Sequence, residues 1–162
     1  MPHPTRFRVT ATGLEWQADH LSRYLNSGGA EGHIIDFSAI GGMKFTTCLL
    51  LRNVGRKTGK TLYSPLIYGD LDGEVVIVAS KGGAPQHPGW YFNIEGAKTV
   101  EFQIATQAFR AASREPQAGE RRRVWDFMVG LYPPYAAYQK KTDREIPVVM
   151  MSITEEIERF RS

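Results

Sequence analysis

The chain has 162 residues, of which 42% are hydrophobic and 23% are charged. This length fits one domain, and the hydrophobic fraction is high enough to bury a core, so the composition excludes a disordered chain. The formal net charge is only +3, which is a mild bias toward anionic partners. It does not indicate a nucleic-acid-binding protein, for which a strongly basic face is typical.

A single cysteine, Cys48, lies in the apolar run 47–51. A lone cysteine forms no internal disulfide, and its apolar neighbours predict a small buried side chain in a reducing compartment. The first ten residues contain two prolines and two arginines and lack the apolar segment of a signal peptide. No apolar run approaches the roughly 20 residues that cross a bilayer. We therefore expect a cytoplasmic protein.

Residues 14–26 have the periodicity of an amphipathic helix. Leu14, Leu21 and Leu25 recur at spacings of seven and four, and Gly28 and Gly29 follow. We expect this helix to pack on the domain, within an N-terminal helical extension that covers residues 1–40. The alternative is that the helix lies on a membrane surface or on a partner protein.

Short strands with tight turns dominate the rest of the chain. Valine and isoleucine in the run 75–78 predict a buried strand. The patterns predict strands at 46–53, 62–68 and 74–80 with a turn at 70–73, a hairpin of 98–106 with 107–114, a helix at 119–131, and a last strand at 147–153 before a polar helical tail. Many short strands and few helices favour an antiparallel barrel over alternating βαβ units. We expect this barrel, with helices at its ends, to span residues 41–162.

The segment Gly55-Arg56-Lys57-Thr58-Gly59 is a basic glycine turn that continues into Lys60 and Thr61. It is not a nucleotide-binding Walker loop, because Val54 stands where that motif requires glycine and a strand, not a helix, follows. Glycines allow a tight turn with exposed N–H groups, while arginine, lysine and threonine side chains donate to anionic oxygens. The turn therefore predicts an anion site; the alternative is an ordinary surface hairpin.

A second glycine turn, Ser80-Lys81-Gly82-Gly83, ends the most apolar strand. Strand ends that run into glycines are common ligand positions, since the backbone there can approach a planar ring closely. Trp90 and Asn93 follow at a spacing of three, so one helical turn would present both to such a ring. The alternative for Trp90 is a plain core role. His87 has no second histidine near it in sequence, so we predict no metal site.

Tyr132, Tyr135 and Tyr138 recur every three residues around the pair Pro133-Pro134. Three phenols on one edge are suited to a partly polar substrate pocket, in which a hydroxyl donates a hydrogen bond or a proton to a carbonyl. The alternative is an aromatic packing stripe. Tyr132 and Tyr135 are the candidate catalytic residues of this triplet.

The order and spacing of these motifs resemble the deazaflavin (coenzyme F420)-dependent nitroreductase and quinone reductase family. The resemblance covers roughly residues 45–150 and includes two further segments, Thr142-Asp143-Arg144 and Ile146-Pro147. It implies a split β-barrel like that of FMN-binding relatives of pyridoxamine-phosphate oxidase. It also implies an oxidoreductase in which reduced F420 passes a hydride to quinones or to related conjugated or nitroaromatic acceptors.

The resemblance implies a role for each motif. The cofactor's phosphate and acidic tail would bind Arg56, Lys57 and Thr58. Relatives carry a further basic residue at the position of Leu62, and Lys60 would take its place in this chain. The deazaflavin or its linker would contact Pro65, Ser80, Lys81, Gly82, Gly83, Trp90 and Asn93. The substrate would face Tyr132, Tyr135, Tyr138 and Ile67, and Ser80 beside them would be a third candidate catalytic residue. Ile67 stands where the nitroreductase has a tyrosine.

Two other functions stay open at this point. One is an FMN-dependent reductase with the same fold, and the other is a non-catalytic cofactor carrier or a membrane-peripheral protein that uses the helix at 14–26. In each case the expected partner is a small molecule and not a nucleic acid. The oligomeric state is open.

Overall fold

A computed structural model describes residues 8–10, 16–40 and 42–161. The predicted helix position Leu14 lies outside the described residues. Within these ranges the strands are β1 Arg8–Thr10, β2 Ile34–Asp36, β3 Thr46–Val54, β4 Thr61–Leu71, β5 Glu74–Val78, β6 Thr99–Ile104, β7 Gln107–Arg114 and β8 Val148–Ile157. The α-helices there are α1 Trp16–Asn26, α2 Gly89–Ile94, α3 Ala118–Leu131 and α4 Pro134–Lys140.

Six of the strands close into an antiparallel barrel. Their order is β3-β4-β5-β8-β7-β6, and pairing of β3 with β6 closes the ring. The predicted hairpin is confirmed as β6 with β7, from Thr99 opposite Ala112 to Ile104 opposite Gln107. Outside the ring, β2 pairs antiparallel with β3, and β1 pairs parallel with β2. The expected barrel with packed helices is therefore confirmed.

Both faces of the central strands are buried, which explains their nearly continuous apolar sequence. In β5, Val75 and Ile77 point into the barrel, where they pack with Leu49 and Phe102. The alternate residues Val76 and Val78 point outward and pack against residues of α3 and α4. Successive side chains of a strand face opposite sides, so one strand serves two cores.

Helix α1 packs on the barrel through its apolar side, as its periodicity predicts. Tyr24 is fully buried; its hydroxyl donates to the carbonyl oxygen of Cys48 (3.0 Å) and accepts from the backbone N–H of Ala105 (2.9 Å). The exposed side of the helix is polar and includes Asp19 and Ser22. No helix in the described part of the chain is long and apolar enough to cross a membrane. The division at residue 40 stays a prediction, and β2 already pairs with the barrel strand β3.

Two predicted boundaries are wrong. The turn at 70–73 is shorter, because β4 runs to Leu71 and only Asp72 and Gly73, both with positive φ, make a two-residue hairpin loop. The polar helical tail is instead the second half of β8. Beyond a register shift at Arg110/Ala111, residues 155–157 pair with β7, and the glutamate side chains of this segment are exposed. The prediction fails because a polar segment at the end of an exposed strand has the same kind of local sequence as a solvent-exposed helix.

Candidate functional site

A cavity of about 470 Å³ lies between the outer face of β3–β5, helices α1 and α4, and the second glycine turn. Its lining is mostly apolar and aromatic. The lining residues are Trp16, Gln17, His20, Phe37, Ile40, Cys48, Pro65, Leu66, Ile67, Val78, Ser80, Lys81, Gly82, Pro88, Trp90, Tyr132, Tyr135 and Tyr138. This size falls within the range of small-molecule sites, about 300–1,000 Å³.

The cavity brings together most of the residues that the sequence singled out. From the expected cofactor set it contains Pro65, Ser80, Lys81, Gly82 and Trp90, and from the expected substrate set Ile67 and all three tyrosines. Gly83, Asn93 and the basic turn residues Arg56, Lys57, Thr58 and Lys60 do not line it. Apolar side chains fill the barrel interior, so the cavity lies outside it.

A larger and more open cleft of about 770 Å³ lies between α3, α4 and the segment around His87. Its lining is more polar and includes Glu115, Arg121 and Arg144. None of the predicted site residues lines it. The smaller, more apolar cavity is therefore the candidate site.

The second glycine turn has a left-handed backbone over three consecutive residues: Lys81, Gly82 and Gly83 have φ values of 45°, 63° and 83°. Glycine adopts such angles without strain. A Cβ on Gly83 would come within 2.6 Å of the carbonyl oxygen of Tyr138, so this glycine lets the turn pack directly on α4. A Cβ on Gly82 would meet no atom within 4 Å, so space beside Gly82 is open for a ligand.

Arg144 stabilises the second glycine turn through hydrogen bonds to its backbone. Its guanidinium donates to the carbonyl oxygens of Ser80 (2.7 Å), Ala84 (2.9 Å) and Ala79 (3.2 Å), and to Nδ1 of His87 (2.8 Å). Burial, and then the charge of Arg144, lower the pKa of His87, which agrees with a neutral imidazole that accepts at Nδ1. Arg144 stood only as part of a motif in the sequence, and the structure makes it the anchor of the cavity's glycine turn.

The three tyrosines form a continuous aromatic wall. Ring centroids of Tyr132 and Tyr135 are 5.1 Å apart, and those of Tyr135 and Tyr138 are 6.2 Å apart. Burial raises the pKa of Tyr132, and the neighbouring Tyr138 adds to the effect; burial likewise raises the pKa of Tyr135. Both phenols therefore stay protonated at neutral pH and are hydrogen-bond donors.

These raised pKa values predict an alkaline limit to stability. The native state keeps its protons on Tyr132 and Tyr135 above pH 10, while the unfolded chain releases them near the ordinary tyrosine pKa of about 10. Stability is thus unaffected by these groups below pH 10 and falls as the pH rises further. Urea unfolding at pH 8, 10 and 11, followed by tryptophan fluorescence, measures the trend. Stability that stays constant up to pH 11 in the wild type would contradict the assignment.

The basic glycine turn lies at the far end of β4 from the cavity. Backbone hydrogen bonds close it, from the N–H of Gly55 to Lys60 (2.8 Å) and from the N–H of Gly59 to Gly55 (2.7 Å). Arg56, Lys57, Thr58 and Lys60 are all exposed. Pro65 lies four positions along the strand from Thr61, which places the turn about 13 Å from the cavity wall.

Asn93 has a different position from the one we expected. Its Oδ1 accepts from the backbone N–H of Arg56 (3.1 Å), and its Nδ2 donates to Oδ1 of Asn53 (2.8 Å). Asn93 therefore supports the basic turn and does not line the cavity beside Trp90. Because Trp90 and Asn93 share helix α2, this helix joins the cavity to the turn. The guanidinium of Arg56 also stacks on Phe92, 4.4 Å from the ring centroid.

Sequence reasoning missed the wall that residues 16–40 contribute to the cavity. Trp16, Gln17 and His20 come from α1, and Phe37 and Ile40 come from the segment after β2. The signal for this wall was present, since Trp16, His20 and Tyr24 recur every four residues and so share one helix face.

Comparisons with known proteins place the chain in a family. The sequence profile of the F420H(2)-dependent quinone reductase family matches residues 16–152. An F420H(2)-dependent quinone reductase of Mycobacterium tuberculosis (strain H37Rv) is 31% identical over 151 residues, which cover 91% of this chain and 97% of the relative.

Solved structures agree with the family match. The structure of an F420-H2 dependent reductase (FDR-A) matches with a TM-score of 0.58 and 42% identity, over 65% of this chain and 93% of that one. A structure described as a domain-swapped dimer matches with a TM-score of 0.61 and 36% identity, over 85% of this chain and 98% of that one. The expected split β-barrel is therefore confirmed. The chain belongs to the F420H(2)-dependent quinone reductase family, and it is an oxidoreductase whose cofactor is the deazaflavin coenzyme F420.

Proposed function

We propose that the cavity is the place where this enzyme passes a hydride from reduced F420 to a quinone or a related conjugated acceptor. The observation that carries the proposal is that a single cavity joins the left-handed glycine turn and Trp90 to the three tyrosines. The first group suits a planar cofactor and the second group suits a carbonyl acceptor. No covalent nucleophile or metal is needed for this reaction, since the cofactor carries the chemistry.

The residues present fit a cofactor that has a flat ring and an anionic tail. Trp90 offers an aromatic wall, and the backbone at Gly82 leaves space that a side chain would fill. We propose that the ring contacts these residues, along with Pro65, Ser80 and Lys81, and that Arg56, Lys57, Thr58 and Lys60 hold the phosphate and acidic tail. Cationic and hydroxyl donors on an exposed turn match such oxygens.

Within the cavity, each group of residues has its own task. The cofactor supplies the hydride when it is bound. Trp90 and the Ser80–Gly83 turn orient its ring, and apolar side chains such as Ile67 and Val78 exclude water from the acceptor. The protonated phenols of Tyr132 and Tyr135 donate hydrogen bonds to the acceptor's carbonyl oxygen, and one of them supplies the proton.

Removing the phenol hydroxyls tests this assignment. We expect Tyr132→Phe and Tyr135→Phe to lower kcat about 10-fold to 100-fold, because the carbonyl oxygen loses its donor, while the Kd for F420 changes little. Tyr63→Phe is the matched control, since Tyr63 packs on Phe160 outside the cavity. Steady-state kinetics and F420 fluorescence titration give the two quantities. A loss of F420 affinity with unchanged kcat would assign the phenols to the cofactor instead.

The basic turn has its own expected outcome. Lys57→Ala should raise the Kd for F420 about tenfold, and the loss should shrink in high salt, because an exposed ammonium-to-anion contact is screened. Arg122→Ala removes the same charge from α3, where Arg122 pairs with Asp126, and serves as the control. Fluorescence titration at low and high salt measures both. An equal rise in the Kd for F420 in both variants would mean that F420 responds to the net charge of the protein and not to a contact with Lys57.

The experiment that tests the whole proposal is a titration with reduced F420 followed by addition of menadione under anaerobic conditions. We expect saturable binding and then recovery of the oxidised deazaflavin absorbance. A parallel titration with FMN tests the alternative cofactor. Binding of FMN without binding of F420 would favour an FMN-dependent reductase. Tight F420 binding without oxidation by any quinone would favour the non-catalytic carrier.

The acceptor range and the location are part of the same proposal. Nitroaromatic compounds belong to the candidate acceptors, although Ile67 lines the cavity where the nitroreductase has a tyrosine and offers them no hydroxyl group. We propose a cytoplasmic enzyme that acts on a small molecule and whose helix α1 packs on the barrel and not on a membrane. The polar exposed side of α1 and its buried apolar side support this view.

A further inference from the structure

His87 contacts the arginine that supports the second glycine turn. The terminal nitrogen Nη1 of Arg144 donates to Nδ1 of His87 (2.8 Å) and to the carbonyl oxygen of Ala79 (3.2 Å). A terminal guanidinium nitrogen carries two hydrogens, so these two bonds use both of them. The imidazole and the backbone after β5 therefore fix this arm of the guanidinium between them. The other two guanidinium nitrogens donate to the carbonyl oxygens of Ser80 and Ala84.

The contact with Arg144 also fixes the protonation state of His87. A guanidinium group has no acceptor atom, so Nδ1 of the imidazole must carry a lone pair, and the proton of the neutral ring is on Nε2. A proton on Nδ1 would remove this acceptor and would place a second positive charge beside the guanidinium. The imidazole can therefore hold Arg144 in its present position only while the ring is neutral.

The surroundings of His87 agree with a neutral ring that solvent can reach. The side chain is partly buried, lines the larger cleft, and packs on the ring of Tyr91 at 4.9 Å between centroids. Burial, and then the charge of Arg144, lower its pKa, while the carboxylates of Glu95 and Glu115 act in the opposite direction. The other charged residues that line this cleft are Arg121, which pairs with Glu145, Arg122, which pairs with Asp126, and Asp143.

These contacts link the shape of the cofactor site to the charge of one imidazole. The Ser80–Gly83 turn has a left-handed backbone at its last three residues, and Arg144 holds the carbonyl oxygens on both sides of them. We propose that His87 is a positioning residue of the F420 site: its neutral imidazole orients Arg144, and protonation of the ring in mildly acidic solution releases this arginine and loosens the turn. The inference rests on the proposed function, because it takes the turn as part of the F420 site.

The pH dependence of F420 binding tests the inference in the wild type. The neutral ring is the form that supports the turn, so the affinity should be at its full value above the ordinary histidine pKa of 6.5. It should fall as the pH drops toward the lowered pKa of His87 in the folded protein. We expect the Kd to be about tenfold higher at pH 5 than at pH 7.5, because a hydrogen bond from a charged donor is lost. Quenching of tryptophan fluorescence measures the Kd, and equal values at the two pH values overturn the inference.

Two substitutions separate the acceptor from the titrating group. His87→Asn places an amide oxygen near Nδ1, so it keeps an acceptor that does not titrate. This variant should bind F420 like the wild type at pH 7.5 and should keep that affinity at pH 5. His87→Leu removes the acceptor, so its Kd should be raised about tenfold at both pH values.

His33→Asn is the matched control, because His33 is a partly buried histidine that contacts the hydroxyl of Tyr68 (2.6 Å) and does not line the cavity. It should retain the pH profile of the wild type. An acid loss of affinity that persists in His87→Asn belongs to another group, such as His20, and overturns the inference.

Nuclear magnetic resonance of the wild type tests the same link without cofactor. At pH 7.5 the ¹⁵N shifts of His87 should show a proton on Nε2 and none on Nδ1. On acidification, the amide resonances of Gly82 and Gly83 should shift with the same midpoint as the imidazole. A proton on Nδ1 at pH 7.5, or glycine amides that do not follow the imidazole, overturns the inference. These measurements need no F420, so failure of the His87 assignment is distinguishable from failure of the proposed function, in which F420 does not bind at any pH.

Discussion

Gly29→Ala should destabilise the protein by at least about 3 kcal/mol, because this glycine sits where no side chain fits. Its φ is +92°, and a Cβ would come 1.6 Å from the carbonyl oxygen of Ala105. Backbone must therefore separate at this point, which also strains the bond from the N–H of Ala105 to the Tyr24 hydroxyl. Urea unfolding followed by tryptophan fluorescence measures the loss.

Gly73→Ala provides the matched control for this effect. Gly73 also has a positive φ, +83°, but a Cβ there would meet no atom within 4 Å. This substitution should lower the free energy of unfolding by about 1 kcal/mol, because alanine is strained at a positive φ even where no atom blocks its Cβ. Equal losses in the two variants would mean that the contact between residues 29 and 105 does not form in solution. The comparison thus tests whether the segment after α1 is fixed against the barrel hairpin of β6 and β7.

Arg144→Leu should weaken F420 binding about 10-fold to 100-fold without removing any group that lines the cavity. The guanidinium holds three carbonyl oxygens of the segment 79–84, and hydrogen bonds from a charged donor are each worth about 1.5–3 kcal/mol. Without them the left-handed backbone at Lys81 and Gly82 loses its support, and the ring site loses its shape. F420 titration gives the affinity, and thermal unfolding gives the accompanying stability loss.

Two variants separate geometry from charge in this prediction. Arg144→Lys keeps the charge and loses the planar fork, so most of the affinity should still be lost. Arg110→Met removes an arginine that pairs with Glu101 and Glu155 on the outside of the barrel, away from the cavity lining. It should leave F420 affinity unchanged. If Arg144→Lys binds F420 like the wild type, the carbonyl fork is not what shapes the turn.

The cavity depends on parts of the chain that are far apart in sequence. Helix α1 supplies His20, β4 supplies Ile67, the turn after β5 supplies Gly82, and α4 supplies Tyr135. Arg144 then fixes the glycine turn from the segment before β8. A substitution in any of these segments can therefore alter the same site, and binding and turnover need to be measured separately to assign its effect.

Local sequence patterns predict most of the strands and many of the residues that line the cavity. Alternation and β-branched residues marked the barrel strands, glycines marked both turns, and motif spacing carried the family resemblance. These signals are local. A hydrophobic period of two or 3.6 residues, or a glycine at a positive φ, can be recognised within a few residues of sequence. The basic turn, the Ser80–Gly83 turn, Trp90 and the tyrosines were all found in this way.

Long-range packing sets where the cavity lies and which residues complete it. A strand such as β5 has two apolar faces, and periodicity cannot say which face meets the barrel interior and which meets a cavity beneath α4. Asn93 was placed beside the ring from its spacing, yet its amide meets Arg56 and Asn53, which no local pattern specifies. His20 hydrogen-bonds to Gly32, 12 positions away, and Arg144 hydrogen-bonds to Ala79, 65 positions away. Contacts at such separations depend on how the strands close into a barrel, and that closure, from β3 to β6, is set by packing of the whole chain.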